Sequence, residues 1–451
     1  MSINNTDLYL CQLQSQVNSI TSTCDAKDFF LLANSVAEAT DHRQVTVATV
    51  SSLPNLFQAG IPNGFMVYVQ EIDVPVIAWN ESWIGLDGRV LRSDAATRTL
   101  FTWGINSSGQ LGDGTTIGKC SPGTVAGGGT TWCNASGFYS RAAVKTDGTL
   151  WTWGTNVNGQ LGDGTTTGKS SPGTIVNSST NWSSVYMSNG FVTALKNDGT
   201  IWTWGSNGLG QLGNGNIADR SSPGTVAGGG TNWCQIFNTL GVFAGAIKTD
   251  GTLWTWGCNN CGQLGDGTTV NRCSPGTVAG GGTNWCRVFS GRYQIGAIKG
   301  DGTLWTWGRN NFGQLGDGTT VNRCSPGTVA GGGGTAWCQG SGTRYSTAVV
   351  KIDGTLWTWG LNDIGQLGNG TTVSRCSPGT VAGGGTTWCQ VSGVDASIFS
   401  LKTDGTLWTW GSNSGGSLGD GTTVNKCSPG TVVNAGTTWV FVDRGVALKS
   451  Q

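Results

Sequence analysis

Charge and histidine are scarce in this chain. Of its 451 residues, 11% are Asp, Glu, Lys or Arg, and 25 Lys+Arg balance 25 Asp+Glu, so the net charge is zero. The low, balanced charge excludes a polybasic nucleic-acid footprint and an acidic solvating tail. The single histidine, His42, excludes histidine-based metal clusters and leaves little basis for a Ser-His or Cys-His nucleophile pair. We therefore expect no enzyme activity, no cofactor and no metal site.

Long apolar segments are also missing. No stretch approaches the roughly 18 consecutive apolar residues that favour a membrane-spanning helix. The N-terminus lacks the basic start and apolar core of a signal peptide, and its first positive charge is Lys27. We expect a protein that is made in a cytoplasm and does not insert into a membrane.

Glycine and tryptophan, by contrast, are abundant. The chain has 77 glycines and 22 tryptophans. High glycine with low charge could indicate an unfolded chain, but disordered segments are poor in aromatic residues because they bury too little apolar area. The tryptophan side chains can bury a large apolar area, so the composition favours a folded protein.

The tripeptide Thr-Trp-Gly recurs seven times at intervals of 50 to 52 residues. This period is typical of propeller blades or solenoid units. In each unit, β-rich runs flank an Asp-Gly or equivalent turn such as Asp147-Gly148, which is a strong hairpin signal. A second turn, such as Asp113-Gly114, follows each Gln-Leu-Gly or its equivalent. Phosphate or calcium binding by the second set is an alternative, but the spacing of a calcium loop is not met.

The two ends of the repeat region complement each other. The first copy begins at Thr97 without the preceding Trp-Cys and Ala-x-x-Lys strands, and the C-terminus ends after Gly445-Val-Ala-Leu-Lys449 without a following Trp-Gly strand. Pairing the ends completes a blade and protects the sheet edges. A solenoid would instead need polar capping repeats. The pattern predicts an all-β, seven-bladed β-propeller over residues 96–451, closed by its N- and C-terminal strands, with a small N-terminal α+β appendage over residues 1–95.

The repeats resemble the regulator-of-chromosome-condensation family. The segment Trp254-Thr-Trp-Gly-Cys-Asn-Asn-Cys-Gly-Gln-Leu-Gly265 is similar to its Leu-x-x-Trp-Gly and Asn-x-x-Gly-Gln-Leu-Gly motifs. The resemblance covers roughly residues 97 to 449 and implies a seven-bladed propeller. Family members include a nucleotide-exchange factor for a nuclear GTPase and ubiquitin-ligase modules, so the fold does not define the activity.

The cysteines follow the repeat. Four units carry a pair flanking the Pro-Gly-Thr-Val segment, and the second unit has Ser170 and Ser183 instead. Joint loss indicates that the paired positions touch, which predicts disulfides that each contribute roughly 3 kcal/mol. Small packed thiols are the alternative, and a zinc or redox site at Cys258-x-x-Cys261 is less well supported. The predicted pairs are Cys120 with Cys133, Cys273 with Cys286, Cys324 with Cys338, and Cys376 with Cys389.

The first 95 residues differ in composition from the repeats. Leu10, Leu13, Val17, Ile20 and Cys24 have the 3-4-3-4 spacing of an apolar helix face, which predicts either self-association or packing against a second helix from Asp25. Strand patterns follow from Val45, with a predicted Asp87-Gly88 turn. The segment from Pro62 to Arg92 resembles a small β module of tailed-phage structural and tail-fibre proteins.

These features favour a virion structural protein of a tailed phage. In this hypothesis residues 1–95 bind other virion proteins, and the propeller binds a host-surface glycan or protein within an oligomeric assembly released by lysis. The alternative is a cytosolic interaction scaffold that resembles a nucleotide-exchange factor. Candidate binding residues are those where the repeats vary most, although such positions can also be unconstrained loop residues. They are Tyr139, Arg141, Arg292, Tyr293, Phe312, Arg344 and Tyr345.

Overall fold

The computed structural model divides the chain into two units, Met1–Ala96 and Thr97–Gln451. The predicted boundary at residue 95 stays a prediction. The structure describes the backbone of five short strands in the first unit and, in the second, residues 98–450 except 128, 130, 177–178, 189, 331–335, 434–435, 437 and 444.

The five described strands of the first unit form one sheet in chain order. Strand β1 runs parallel to β2, and β2 to β5 form an antiparallel meander. The helices predicted from Leu10 to Val36 and the predicted Asp87-Gly88 turn lie outside the described residues. The strands β1 to β5 are Val45–Val47, Met66–Val69, Val74–Trp79, Ser82–Gly85 and Val90–Ser93.

The second unit is a propeller of seven four-stranded antiparallel sheets. We number the blades 1 to 7 and the strands of each blade from the propeller axis outward, because the first strands of successive blades pack against one another. The first strands are Trp132–Gly137, Trp182–Met187, Trp233–Asn238, Trp285–Ser290, Trp337–Gly342, Trp388–Val394 and Trp439–Asp443. The second strands are Ser140–Lys145, Phe191–Lys196, Phe243–Lys248, Gln294–Lys299, Ser346–Lys351, Ser397–Lys402 and Val446–Ser450.

The outer two strands of each blade contain the Trp-Gly and Pro-Gly-Thr segments. The third strands are Leu150–Gly154, Ile201–Gly205, Leu253–Gly257, Leu304–Gly308, Leu356–Gly360, Leu407–Gly411 and Arg98–Gly104. The fourth strands are Lys169–Thr174, Arg220–Thr225, Arg272–Thr277, Arg323–Thr328, Arg375–Thr380, Lys426–Thr431 and Lys119–Thr124. A short 3-10 helix, Ser414–Gly416, lies between the outer strands of blade 6.

Blade 7 is built from both ends of the propeller. Its inner strands come from the C-terminus and its outer strands from residues 98–124, with Leu448 opposite Leu100 in an antiparallel pair. This confirms the predicted seven-bladed fold and its closure by terminal strands. Closure leaves no open end of the blade array at which another sheet could add.

The Asp-Gly turns form the predicted hairpins. At Asp147-Gly148, the Lys145 amide donates to the Thr149 carbonyl at 3.0 Å, and Gly148 has a φ of +76°. The Asp147 carboxylate accepts the amide and hydroxyl of Thr149 at 2.9 and 2.6 Å. The carboxylate is thus used locally to hold the turn, as in an Asx turn.

The hydrophobic core lies between neighbouring blades. Between blades 3 and 4, Phe237, Leu253 and Leu264 pack with Trp285 and Trp307. The indole rings of Trp285 and Trp307 meet edge to face with centroids 6.1 Å apart, an arrangement that stabilises beyond area burial alone. Because each interface reuses the same positions, the repeat in the sequence directly produces the ring of blades.

Candidate functional site

Two sets of loops meet at one end of the propeller. One set joins the first and second strands of each blade, and the other carries the Asn-x-x-Gly motif after the third strand. Phe312 of the second set lies against Tyr345 of the first, with ring centroids 5.0 Å apart. We call this end the loop face; the Asp-Gly hairpins lie at the other ends of the second strands.

The loop face contains a cavity of about 520 Å³. Its walls include Tyr139, Ser188, Leu240, Arg292, Arg344 and Asp395, one from each of six blades. Contributions from six blades place the cavity on the propeller axis. A concave site with apolar walls and a few convergent polar groups is typical of a ligand-binding site.

Beside the cavity, arginine and tyrosine side chains form a stacked group on blades 4 and 5. Tyr293 and Tyr345 are stacked with an interplanar angle of 21° and centroids 6.5 Å apart. The guanidinium of Arg309 lies 5.3 Å from the centroid of each ring. Arg292 lies 5.4 Å from Tyr293, and Arg344 lies 5.1 Å from Tyr345. We call these five residues the arginine–tyrosine cluster.

The hydrogen bonds of the backbone hold this cluster in place. The Arg292 amide donates to the Thr343 carbonyl at 3.3 Å, and the Arg344 amide donates to the Asp395 carbonyl at 2.7 Å. These bonds tie the loops of blades 4, 5 and 6 to one another. The backbone of the loops that carry the cluster is therefore fixed, which reduces the entropy cost of ordering these loops on binding.

The cluster arginines differ from most basic residues of the outer strands in their partners. Lys119 is 2.7 Å from Asp113, and Arg272 is 2.9 Å from Asp266, with equivalent pairs in three other blades. Within the part of the chain that the structure describes, no carboxylate lies within ion-pair distance of Arg292, Arg309 or Arg344. The arginine–tyrosine cluster thus carries three positive charges that no described carboxylate pairs, although the whole chain is neutral.

The structure brings most of the predicted binding residues together. Arg292, Tyr293, Arg344 and Tyr345 are in the cluster, and Phe312 packs on it. Tyr139, 52% exposed, lies in the wall of the adjoining cavity. This proximity is observed, whereas a binding role for these residues stays a prediction.

Arg141 has a different environment from the other predicted binding residues. It lies on the second strand of blade 1 and is 2% exposed, with its Nη1 donating to the Gly445 carbonyl of blade 7 at 3.1 Å. Burial lowers the pKa of its guanidinium to about 9, although nearby Asp443 opposes this effect. Its placement in an exposed binding loop is wrong, because residues 140–144 of this strand are all buried; the side chain joins blade 1 to blade 7.

Arg309 was missed by the sequence comparison of variable loop positions. It directly follows Trp307-Gly308, one position before the Asn-x-x-Gly motif. The sequence does distinguish Arg309 from its equivalents. The other six repeats have Ile, Thr, Ser, Cys, Leu and Ser at this position, so only this repeat has a charged residue there.

The cysteines of each predicted pair occupy different environments. Cys133 lies on the first strand of blade 1 and donates from Sγ to the Val144 carbonyl at 3.4 Å. In blade 2, the Ser183 hydroxyl makes the same bond to the Leu195 carbonyl at 3.0 Å. The first cysteine of a pair, such as Cys120, lies on a fourth strand against a glycine of the preceding blade, Gly416.

The serine at position 183 therefore has an explanation that needs no disulfide, because it makes the same hydrogen bond as Cys133. None of the described cysteines is in a disulfide, and the pairing stays a prediction. Among the described residues, no group of three or more His, Cys, Asp or Glu side chains is arranged to hold a metal ion. No helix within the same residues is long and apolar enough to span a membrane.

The fold and the loop face together define a seven-bladed propeller with a preformed basic and aromatic surface at one end. The pattern of the regulator of chromosome condensation (RCC1) repeat matches residues 147–195, 198–245, 250–298, 301–350, 353–395 and 404–443. Since these segments cover more than half of the chain, the protein belongs to the RCC1 repeat family.

Two curated relatives show how widely this repeat is used. The chain is 31% identical over 233 residues to the ultraviolet-B receptor UVR8 of Arabidopsis thaliana, covering 51% of this chain and 52% of the receptor. It is 28% identical over 251 residues to the E3 ubiquitin-protein ligase HERC2 of Homo sapiens, covering 54% of this chain and 5% of the ligase. The chain thus matches about half of one relative and a small part of the other.

Solved structures support the fold. Human WBSCR16 superposes with a TM-score of 0.69 at 20% identity, covering 78% of this chain and 99% of that one. Yeast RCC1 (Prp20), solved bound to Kap60, superposes with a TM-score of 0.69 at 17% identity, covering 79% and 90%.

The comparisons contradict the predicted phage role. The relatives named above are plant, human and yeast proteins, and none of these is a phage structural protein. The short resemblance of the N-terminal segment to a phage module was therefore misleading, and the virion partners and virion location predicted from it are not supported. The findings favour the alternative prediction, a cellular interaction scaffold.

Proposed function

We propose that this protein is a cellular interaction scaffold whose loop face binds a partner protein. The observation that carries the proposal is the arginine–tyrosine cluster, in which three arginines without an ion-pair partner among the described residues are stacked on two tyrosines. Tyrosine and arginine are enriched where protein interfaces gain most of their binding energy.

Related structures support a protein partner. Prp20p from Saccharomyces cerevisiae, solved in a study of its binding properties to Gsp1p and histones, has the same fold with a TM-score of 0.67 at 18% identity. At this identity the likeness concerns the fold, so neither partner is assigned to this chain. The ligase activity in the name of HERC2 is not part of the proposal, because this chain matches only 5% of that protein.

Site-specific photo-cross-linking in cells that express the full chain tests this function. A photoreactive phenylalanine analogue replaces Phe312 on the loop face or, as a control, exposed Thr146 on a hairpin at the opposite end. We expect protein cross-links from position 312 that are absent from position 146. They should disappear in the variant Arg309→Ala/Arg344→Ala.

A matched double variant controls for loss of positive charge. Arg220 and Arg375 are the first residues of the fourth strands of blades 2 and 5. In the five other blades an Asp pairs with the basic residue at this position, whereas blades 2 and 5 have Asn214 and Asn369 instead of the Asp. Arg220→Ala/Arg375→Ala should therefore keep the cross-links of position 312. Identical cross-links from both faces, or cross-links that survive loss of Arg309 and Arg344, would reject the proposed function.

A further inference from the structure

The axial cavity combines two half-buried cations with an apolar wall. Arg292 and Arg344 line one side, on the neighbouring blades 4 and 5, and Phe138, Tyr139 and Leu240 contribute apolar surface. We propose that this cavity binds a linear acidic peptide segment of the partner protein. One carboxylate lies between the two arginines, and a neighbouring aliphatic or aromatic side chain packs on the apolar wall. This inference rests on the proposed function of the loop face.

The first argument is charge complementarity. In five blades the chain supplies a carboxylate for the basic residue that begins the fourth strand, as Asp317 does for Arg323 at 3.0 Å. For Arg292 and Arg344 it supplies none among the described residues. The buried Nε of Arg344 also lacks a hydrogen-bond partner within that same part of the chain. A peptide carboxylate provides the acceptor, and a charge-assisted bond to a guanidinium is among the stronger hydrogen bonds.

The second argument is that the arginines are already positioned. The Gln294 side chain donates to the Thr343 carbonyl at 3.3 Å and to the Ser346 carbonyl at 3.2 Å. These bonds connect the loop of Arg292 to the loop of Arg344. Because little reorganisation is needed, the interaction of a carboxylate with both side chains is not offset by a large ordering cost.

The third argument separates a peptide from a polyphosphate or an anionic lipid headgroup. Asp395 lines the same cavity, and its negative charge disfavours a ligand with several closely spaced negative charges. A peptide instead offers N–H donors to this carboxylate. The half-buried side chains of Phe138 and Leu240, which line the cavity, favour an apolar group over a sugar or a phosphate.

Selection from a display library of random linear peptides on the immobilised full-length protein tests the inference. We expect enrichment of peptides with an Asp or Glu next to Leu, Ile, Phe or Tyr. A synthetic peptide from the enriched set, labelled with fluorescein, then gives dissociation constants by fluorescence anisotropy. Arg292→Gln/Arg344→Gln should weaken binding at least about tenfold, and Arg220→Ala/Arg375→Ala should change it less than about twofold.

Further measurements keep the test decisive if the double variant unfolds. Tyr139→Ala changes an exposed wall residue and should weaken the same peptide while leaving the thermal unfolding temperature unchanged. Raising the salt concentration should also weaken binding, because exposed charge pairs are screened. Enrichment of neutral or basic peptides, stronger competition by tripolyphosphate than by unlabelled peptide, or unchanged binding by Arg292→Gln/Arg344→Gln would overturn the inference.

The cross-linking experiment keeps the two proposals separable. If position 312 captures a partner in an Arg309- and Arg344-dependent way but no acidic peptide is selected, the peptide inference fails and the proposed function stands. If neither result is obtained, both fail.

Discussion

The indole N–H of Trp103 donates a hydrogen bond to the carbonyl oxygen of Ser417 at 2.9 Å, across 314 positions of sequence. This bond joins blade 7 to blade 6. The same bond recurs at every other blade interface, as from Trp307 to the Gln263 carbonyl at 3.0 Å. In blade 6, Ser417 stands where the other repeats have glutamine, and the bond is kept because its acceptor is a backbone carbonyl.

The first prediction concerns this closing bond. Trp103→Phe should lower the free energy of unfolding by about 1–3 kcal/mol, because it leaves a partly buried carbonyl without its donor. The control is Trp151→Phe, since the Trp151 indole donates only to the nearby Thr149 hydroxyl at 2.9 Å in a half-buried position. Urea unfolding followed by tryptophan fluorescence measures both. Equal losses would show that the bond has no special part in closing the ring.

The second prediction concerns the glycine that contacts each of these indoles. A Cβ on Gly265 would lie 2.5 Å from Nε1 of Trp307, and the φ of Gly265 is +69°. Gly265→Ala should cost more than about 2 kcal/mol of stability through the clash and the unfavourable backbone conformation. Gly229→Ala is the matched control, because a Cβ there meets no atom within 4 Å. Comparable thermal unfolding temperatures for the two variants would contradict the tight contact between blades.

The third prediction concerns acid stability. Burial raises the pKa of Asp113, but hydrogen bonds from Lys119 and Thr115 outweigh this effect and lower the pKa to about 2. A carboxylate whose pKa is lower in the folded state stabilises the fold above its unfolded pKa of about 3.9. This contribution is lost as the pH falls from about 4 to about 2. Asp163, with a pKa of about 2, should behave in the same way.

Asparagine variants isolate this effect. The double variant Asp113→Asn/Asp163→Asn introduces the residue that two other blades already have at the equivalent positions, Asn214 and Asn369. Its thermal unfolding temperature should fall less steeply than that of the wild type between pH 4 and pH 2. Parallel curves over this range would show that the two carboxylates do not contribute.

The fourth prediction distinguishes the thiols from a disulfide. Burial raises the pKa of the Cys133 thiol to about 11, so this thiol should react slowly with iodoacetamide at pH 8. Cys133→Ser should change stability by less than about 1 kcal/mol, because Ser183 makes the equivalent bond in blade 2. If Cys120 and Cys133 form a disulfide, Cys120→Ser and Cys133→Ser should each cost roughly 3 kcal/mol under non-reducing conditions. Thiol counting on the native and the reduced protein decides the same question.

The propeller could be predicted from the sequence because its interactions repeat. The Asp147-Gly148 turn predicts a hairpin from adjacent residues. The strands that are missing before Thr97 and after Lys449 complement each other, which predicts closure of the ring. Arg141 was misplaced because its neighbour Tyr139 is a loop residue. The matching positions Val192 and Ile295 are buried and apolar, which indicates an inward-facing strand position.

The arrangement of the site was harder to predict than the fold. Arg309 and Tyr345 are 36 positions apart by their numbering and meet only when blades 4 and 5 pack side by side. Such contacts depend on the rotation between blades, which no single repeat encodes. The partner was also not predictable, because the fold hosts many functions and the residues that choose a partner lie in variable loops.

The central claim is that the loop face is where this propeller binds its partner. The most direct test is the dissociation constant of the full chain for the partner captured through position 312, measured by isothermal titration calorimetry. The account predicts that Arg309→Ala/Arg344→Ala weakens binding at least about tenfold, or about 1.4 kcal/mol, while Arg220→Ala/Arg375→Ala stays within about twofold of the wild type. Equal dissociation constants for the wild type and both variants would contradict it.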